Sequence, residues 1–105
     1  MPAYVIATMK IHDPVTYRKY TDLTPPTVKR HGGRFLTRGD PVVTAEGAGF
    51  TDRMVILEFP STAHAQAWIK DPDYVAACKF RHASSTGRMI IQEGRDNTEN
   101  PDPKV

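Results

Sequence analysis

The sequence predicts an α+β domain of ferredoxin-like type, in the order βαββαβ, with a four-stranded antiparallel sheet and its helices on one face. Three observations predict it. Four stretches of strand composition, Ala3–Ile11, Arg34–Thr44, Arg53–Phe59 and Arg88–Glu93, frame two helical stretches. Each helical stretch begins on a polar cap, Asp13 before the first and Ser61 before the second. Glycine and proline punctuate the joints, at Gly32-Gly33, between Glu46 and Asp52, and at Pro60.

The first strand is rich in Val, Ile, Tyr and Thr. Asp13-Pro14 then caps a helix with proline at its first position, where a missing N–H costs nothing. Tyr17, Tyr20 and Leu23 form one stripe of that helix. Pro25-Pro26 is expected to break or kink it, with Pro26 opening a further short helical piece. Gly32 suits the left-handed position just past a helix end, so the helix should close near His31. The second strand, Arg34–Thr44, is expected to carry a bulge or bend at Gly39-Asp40-Pro41. A hairpin loop over Glu46–Asp52 leads to the third strand, which Pro60 stops. Ser61 caps a helix with the stripe Ala65, Trp68 and Ile69, and Asp71-Pro72 repeats the cap-plus-proline device to start a second piece running to about Arg81. His82–Gly87 reads as a polar turn before the last strand. The expected domain covers residues 1–94, and residues 95–105, with no apolar face and two prolines, are expected to form a flexible tail.

A chain of 105 residues fits one domain and buries only a modest core, so association would help it. Apolar residues make up 39% and charged residues 25%, and the net charge of +2 is scattered rather than gathered into a basic face, which argues against a nucleic-acid partner. The single cysteine, Cys78, excludes an intrachain disulfide and fits a reducing compartment. No stretch has the length of a membrane span, and the N-terminus shows no basic region followed by an apolar one. The expectation is a cytoplasmic protein without a membrane partner.

The strands carry a second message. Met54-Val55-Ile56-Leu57 is apolar on both faces, as are Val5, Ala7 and Met9 against Tyr4 and Ile6, and Met89 and Ile91 against Ile90. Helices cover one face only. The other would expose an apolar patch of a kind monomers rarely carry, which predicts a homodimer through that sheet face.

Three residues stand out as candidate catalytic groups: His31, Arg38 and Tyr20. His31 sits at a helix C-terminus, where it reads either as a cap favoured by the dipole or as a general base or carboxylate anchor. As a site residue it should line one concavity with Arg38. Arg34, Leu36 and Arg38 share a strand face by even spacing, opposite Phe35 and Thr37. Arg38 reads as a partner for a carboxylate or enolate oxygen, or as one half of an inter-strand ion pair with Glu58. Tyr17 and Tyr20 read as core residues with their hydroxyls at the edge, Tyr20 being the one placed to serve a pocket between helix and sheet. Trp68 and Tyr74 flank the Asp71-Pro72 joint as core or as the roof of a pocket. His12, His64 and His82 lack companions at ligand spacing, so no metal is expected, and Cys78 reads as a small buried hydrophobe. No phosphate loop or nucleophile elbow is present, and no cofactor is expected.

Several of these blocks together resemble one family. Pro2-Ala3-Tyr4-Val5-Ile6, Pro25-Pro26-Thr27, His31-Gly32-Gly33-Arg34-Phe35-Leu36, Arg38-Gly39, Leu57-Glu58-Phe59-Pro60 and Asp71-Pro72-Asp73-Tyr74 are similar to domain-of-unknown-function family 1330, over about residues 2–94. The chain differs after Arg38-Gly39, where Asp40-Pro41 replaces a second glycine that is common there. The resemblance implies a dimeric α+β barrel, with two ferredoxin-like sheets face to face, and it implies no settled reaction. By analogy with other barrels of this kind, it implies a small cofactor-independent enzyme acting on an aromatic, enol or carboxylate metabolite. His31 would abstract a proton and Arg38 would stabilise the oxyanion. The competing expectations are a ligand-binding dimer without catalysis and a purely structural or interaction role.

Overall fold

Strand alternation sets the two faces of the sheet. In β1 (Ala3–Ile11), Ala3, Val5, Ala7 and Met9 are buried, while Tyr4, Ile6 and Thr8 between them are half-buried. β1 pairs antiparallel with β3 (Arg53–Phe59) on one side and β4 (Ser85–Glu93) on the other, and β2 (Arg34–Arg38) pairs with β3, giving the order β2-β3-β1-β4. Three helices, α1 (Pro14–Arg30), α2 (Thr62–Lys70) and α3 (Pro72–Ser84), accompany the sheet among the described residues. The computed structural model describes residues 1–95; the expected tail falls almost wholly outside them.

The core lies between helices and sheet. Small residues on β1, Ala3 and Ala7, leave room for large ones from the helices. Trp68 of α2 is its centre, with ring centroids 4.0 Å from Tyr74 and 5.2 Å from Phe59. Its Nε1–H donates to Thr27 Oγ1 at 3.1 Å, and the Thr27 hydroxyl donates to the Thr24 carbonyl at 2.7 Å, so no polar atom of this cluster is stranded. Cys78 is buried among these residues, as its neighbours Ala76 and Ala77 lead one to expect.

The helix stop at the α1–β2 corner is as expected. Gly32 has φ 75°, its N–H bonds to the Lys29 carbonyl, and the Gly33 N–H bonds to the Val28 carbonyl, each at 3.0 Å. Gly33 lies so close to the Phe59 ring that a Cβ there would collide with it.

Four expectations need correction. First, Pro25-Pro26 does not break α1 into two pieces; one helix runs through both prolines to Arg30. Proline at 25 removes the N–H that would bond the Thr21 carbonyl. That carbonyl is satisfied instead by Arg38 Nη2 at 3.0 Å, reaching over from β2, and by the Thr24 hydroxyl at 3.3 Å. Second, β2 ends at Arg38 rather than Thr44. The Asp40 carboxylate takes the Arg38 N–H at 2.8 Å, and Gly39 turns away with φ 74°, so pairing stops there. Third, the irregularity in β2 lies between Phe35 and Thr37, not at Gly39-Asp40-Pro41. Fourth, residues 82–87 form no turn: α3 reaches Ser84 and β4 starts at Ser85. The Ser84 and Ser85 hydroxyls donate to the Phe80 and Arg81 carbonyls at 2.6 and 2.7 Å, closing the helix end without a loop.

Candidate functional site

The bulge in β2 decides where the two arginines go. Arg34 pairs in register with Glu58, on the face away from the helices, and Arg38 pairs with Val55, on the helix face. The expectation that they share a face is therefore overturned, because the extra residue shifts the alternation by one. Arg34, not Arg38, makes the ion pair with Glu58, at 3.2 Å.

Arg38 instead lies against α1. Its Nη2 holds the Thr21 carbonyl, and its guanidinium carbon sits 4.3 Å from the centre of the Phe35 ring. Next to it is Arg53, which the sequence reading did not single out. Arg53 opens β3 in phase with Val55, Leu57 and Phe59, all buried, so period-two alternation alone places it on the helix face. Its guanidinium carbon lies 5.6 Å from the Tyr17 ring centre. Gly39, whose φ of 74° favours glycine, leaves open the space the guanidinium occupies, which a Cβ there would crowd. Among the described residues, neither Arg38 nor Arg53 has a carboxylate within ion-pair distance.

These two arginines border an open groove of about 560 Å³ along α1, with Ile11, Pro14, Tyr17, Thr21 and Pro25 among its walls. The same Tyr17, Thr21, Arg38 and Arg53 also line a small cavity behind it, with Tyr20, Phe35, Leu57 and Trp68. That cavity holds about 20 Å³, room for about one water. The inner cavity as it stands is too small for anything much larger than a water, and the open volume lies in the groove.

Tyr20 reaches the inner wall. Its hydroxyl lies 2.9 Å from that of Tyr74, and the Tyr74 hydroxyl lies 3.8 Å from the Met89 sulfur. Burial pushes the Tyr20 phenol up to about 12, only partly opposed by its hydrogen bond to Tyr74. Burial also raises Tyr74. Both phenols therefore stay neutral near pH 7, as hydrogen-bond donors rather than bases.

His31 lies elsewhere. It follows α1, while Arg38 grips that helix at Thr21, ten residues earlier or about 15 Å along the axis. Its Nε2 is 2.8 Å from Asp71 Oδ2, at the joint between α2 and α3. Arg30 Nη1 reaches the same oxygen at 2.7 Å, and Arg30 Nη2 reaches Asp73 at 3.0 Å. Asp71 also caps α3 by accepting from the Asp73 N–H at 2.8 Å and the Tyr74 N–H at 3.4 Å. The bond from His31, with those from Arg30 and the backbone, holds the carboxyl well below the usual carboxylate range. The structure thus brings Arg38 and Tyr20 to one pocket and sets His31 apart. Asp71, read in the sequence only as a cap, is the centre of this second cluster. Its partners lie 40 and 41 positions away, a link no local pattern carries.

Among the described residues no group of three or more His, Cys, Asp or Glu side chains could hold a metal, and no helix is long and apolar enough to cross a membrane.

Known proteins place this geometry. Protein YciI of Escherichia coli O6:H1 and of Shigella flexneri is 46% identical over 56 residues, a match that covers 50% of this chain and only 57% of the relative. Among solved structures, the RPA0582 protein of unknown function from Rhodopseudomonas palustris superposes with a TM-score of 0.75 at 23% identity, over 90% of this chain and 83% of that one. SnoaB, a cofactor-independent oxygenase from Streptomyces nogalater, superposes at 0.61 with 14% identity, over 95% and 97% of the two chains. A dimeric protein of unknown function and ferredoxin-like fold from Bacteroides fragilis gives 0.57 at 15% identity, over 89% and 96%. At these identities the structures show a shared fold. The sequence match over residues 2–95 goes further: this chain belongs to the family described as Domain of unknown function (DUF1330).

Proposed function

We propose that this chain is a cofactor-independent enzyme acting on a small aromatic, enol or carboxylate metabolite bound between helices and sheet. The observation that carries this reading is the groove at Arg38, which opens onto an apolar cavity edged by a neutral phenol. Arg38 would stabilise an enolate or carboxylate oxygen, and Tyr20 would donate a hydrogen bond from the inner wall. Among the described residues the cavity wall carries no carboxylate and no imidazole, and the one carboxylate on the outer groove, Asp22, is paired with Arg18. A substrate that is already acidic, such as an enol or phenol, fits such a site better than one needing a strong base. SnoaB, a cofactor-independent oxygenase on the same fold, is a precedent for the chemistry and no more than that.

His31 supports a second reading. A carboxylate-held imidazole is the arrangement of a general base. With Nε2–H bonded to Asp71, Nδ1 is the nitrogen left for a substrate proton. A screen of quinols, enols and lactones separates the two. Loss of turnover in Arg38→Gln and Tyr20→Phe, with His31→Ala unaffected, favours the groove. Loss in His31→Ala alone favours the dyad. Saturable binding with no turnover by the wild type would leave a ligand-binding protein without catalysis.

The reading includes a homodimer. Ile90, Ile6 and Ile56 stand in one cross-strand row on the face without helices, flanked by Tyr4 and Met54. Ile90 is 43% exposed, and a second sheet would cover the row. Sedimentation at micromolar concentration should show a dimer; a monomer alone would remove this part of the reading.

A further inference from the structure

We infer that Arg53 and Arg38 form a preset clamp for the planar anionic group of the ligand, a carboxylate or the equivalent enolate, with Gly39 as the seat of Arg53. The inference rests on the groove being the ligand site. What distinguishes Arg53 is how its guanidinium is held. It is half-buried, yet none of its five N–H groups donates to a protein acceptor among the described residues, and Nε is shut off from solvent without a partner. Buried donors are nearly always matched, and a charged one left unmatched is costly. Packing, not an ion pair, fixes it: Tyr17 lies under it and the missing side chain of Gly39 makes room for it.

Arg38 is likewise fixed without its charge being answered. One N–H is spent on the Thr21 carbonyl and its face lies on Phe35, which leaves other donors open at the groove. Among the described residues none of the nearby acids forms an ion pair with either arginine: Asp52, which shares a neighbouring hollow with Arg53 and Asp40, is not within ion-pair distance of Arg53. Asp22 pairs with Arg18 at 3.3 Å, and Asp40 accepts the Arg38 backbone N–H. Two forks held at one mouth match the two oxygens of a carboxylate, and the apolar walls behind suit an unsaturated or aromatic remainder. Pro25 belongs to the device, since it is the proline that frees the Thr21 carbonyl for Arg38.

The test uses the full chain, labelled for NMR, with benzoate and benzyl alcohol as charged and neutral probes of one shape. Trp68 is the only tryptophan and lines the cavity, so its indole N–H reports entry; the arginine Nε–H signals report the clamp. Benzoate should shift both sets saturably and bind more tightly than benzyl alcohol. Arg53→Gln should weaken benzoate by about tenfold to a hundredfold, the usual worth of a charge-assisted bond. Benzyl alcohol should be unaffected. Arg53→Lys, which keeps the charge and loses the fork, should fall between and guards against a glutamine variant that folds poorly. Equal affinity for the two probes, or benzoate binding unchanged in Arg53→Gln, overturns the clamp while a moving Trp68 signal keeps the groove reading. If neither probe moves Trp68 or the arginines, both fall together.

Discussion

Two clusters of charge lie along α1, one at its C-terminus and one near its middle, and they are built on opposite plans. At its C-terminus, Arg30 and His31 meet Asp71 and Asp73 in a closed set, where Arg30 and His31 each have a carboxylate within 3.0 Å. Near its middle, Arg38 and Arg53 converge on a groove with no carboxylate within ion-pair distance. A closed set ties elements of the same chain together. An open set of like charges repels itself and persists here because packing holds it. The first plan is that of a clasp between α1 and the α2–α3 joint; the second fits the ligand site proposed above.

Breaking the clasp should have the largest effect. Asp71→Ala removes the α3 cap, takes the carboxylate from His31, leaves Arg30 only Asp73, and acts on a side chain only 4% exposed. It should lower the melting temperature more than any other change at either charge cluster, read by calorimetry. It should leave benzoate affinity of the folded fraction unchanged, because no residue of the groove touches it. The acid limb follows from the same carboxylate. Its pKa is lowered from 3.8 in the fold, so its contribution is complete above about pH 4 and drains away as the pH falls below that. Asp71→Asn should flatten that acid limb in urea titrations run across pH 2 to 6.

Breaking the mouth should spare the fold and hit the ligand. Arg38→Gln should lower benzoate affinity by about tenfold or more, the worth of one charge-assisted bond of roughly 1.5–3 kcal/mol. The change in stability should stay within about 0.5 kcal/mol, as for an exposed side chain. Calorimetric titration and a urea melt of the same variant read the two numbers side by side. An Arg38→Gln variant that melts far below wild type would make the mouth a clasp as well.

How much of this contrast was readable in advance differs between the two clusters. The strands β1 and β3, the helix caps and the glycine stop at Gly32 follow from local chemistry, and the structure has them where the sequence places them. The bulge between Phe35 and Thr37 does not, because it is set by pairing with β3 and leaves no mark in β2 itself. That one residue moves Arg38 from the sheet's open face to the helix face, and with it the entire site. The run of α1 through Pro25-Pro26 was misread for a similar reason: the acceptor left over by proline is answered by Arg38, across the chain. Ser84 and Ser85 read as turn residues in the sequence because serine closes helices and turns alike. Arg53 was legible, as an arginine in phase with three buried apolar residues of one strand. Asp71 was legible as a cap and not as a partner of His31.

Pro25→Ala bears on both features at once. Alanine restores the N–H for the Thr21 carbonyl, so α1 gains about 3 kcal/mol of helix preference less the roughly 1 kcal/mol that proline saves in the unfolded chain. A rise in stability of about 2 kcal/mol should accompany a fall in benzoate affinity, since Arg38 and the Thr24 hydroxyl then compete with a backbone N–H for that carbonyl. Higher stability with unchanged affinity would show that Arg38 is placed by Phe35 and needs no help from the helix.

The smallest effect is expected at Tyr20. Tyr20→Phe removes one of two facing hydroxyls and leaves Tyr74 the Met89 sulfur as a weak partner. The cost is that of one neutral hydrogen bond, about 1 kcal/mol, with benzoate affinity changed by less than about fivefold. The variant is most telling at high pH. The Tyr20 phenol is raised from 10.0 to about 12 by burial, so the native state binds its proton more tightly than the unfolded chain does. The corresponding stability is complete below about pH 10 and is lost as the pH rises through 12. Wild type should therefore weaken between pH 10 and 12 more steeply than Tyr20→Phe. An identical alkaline limb in both would place the titration on Tyr74 alone, and would leave Tyr20 as a wall of the cavity rather than a proton donor within it.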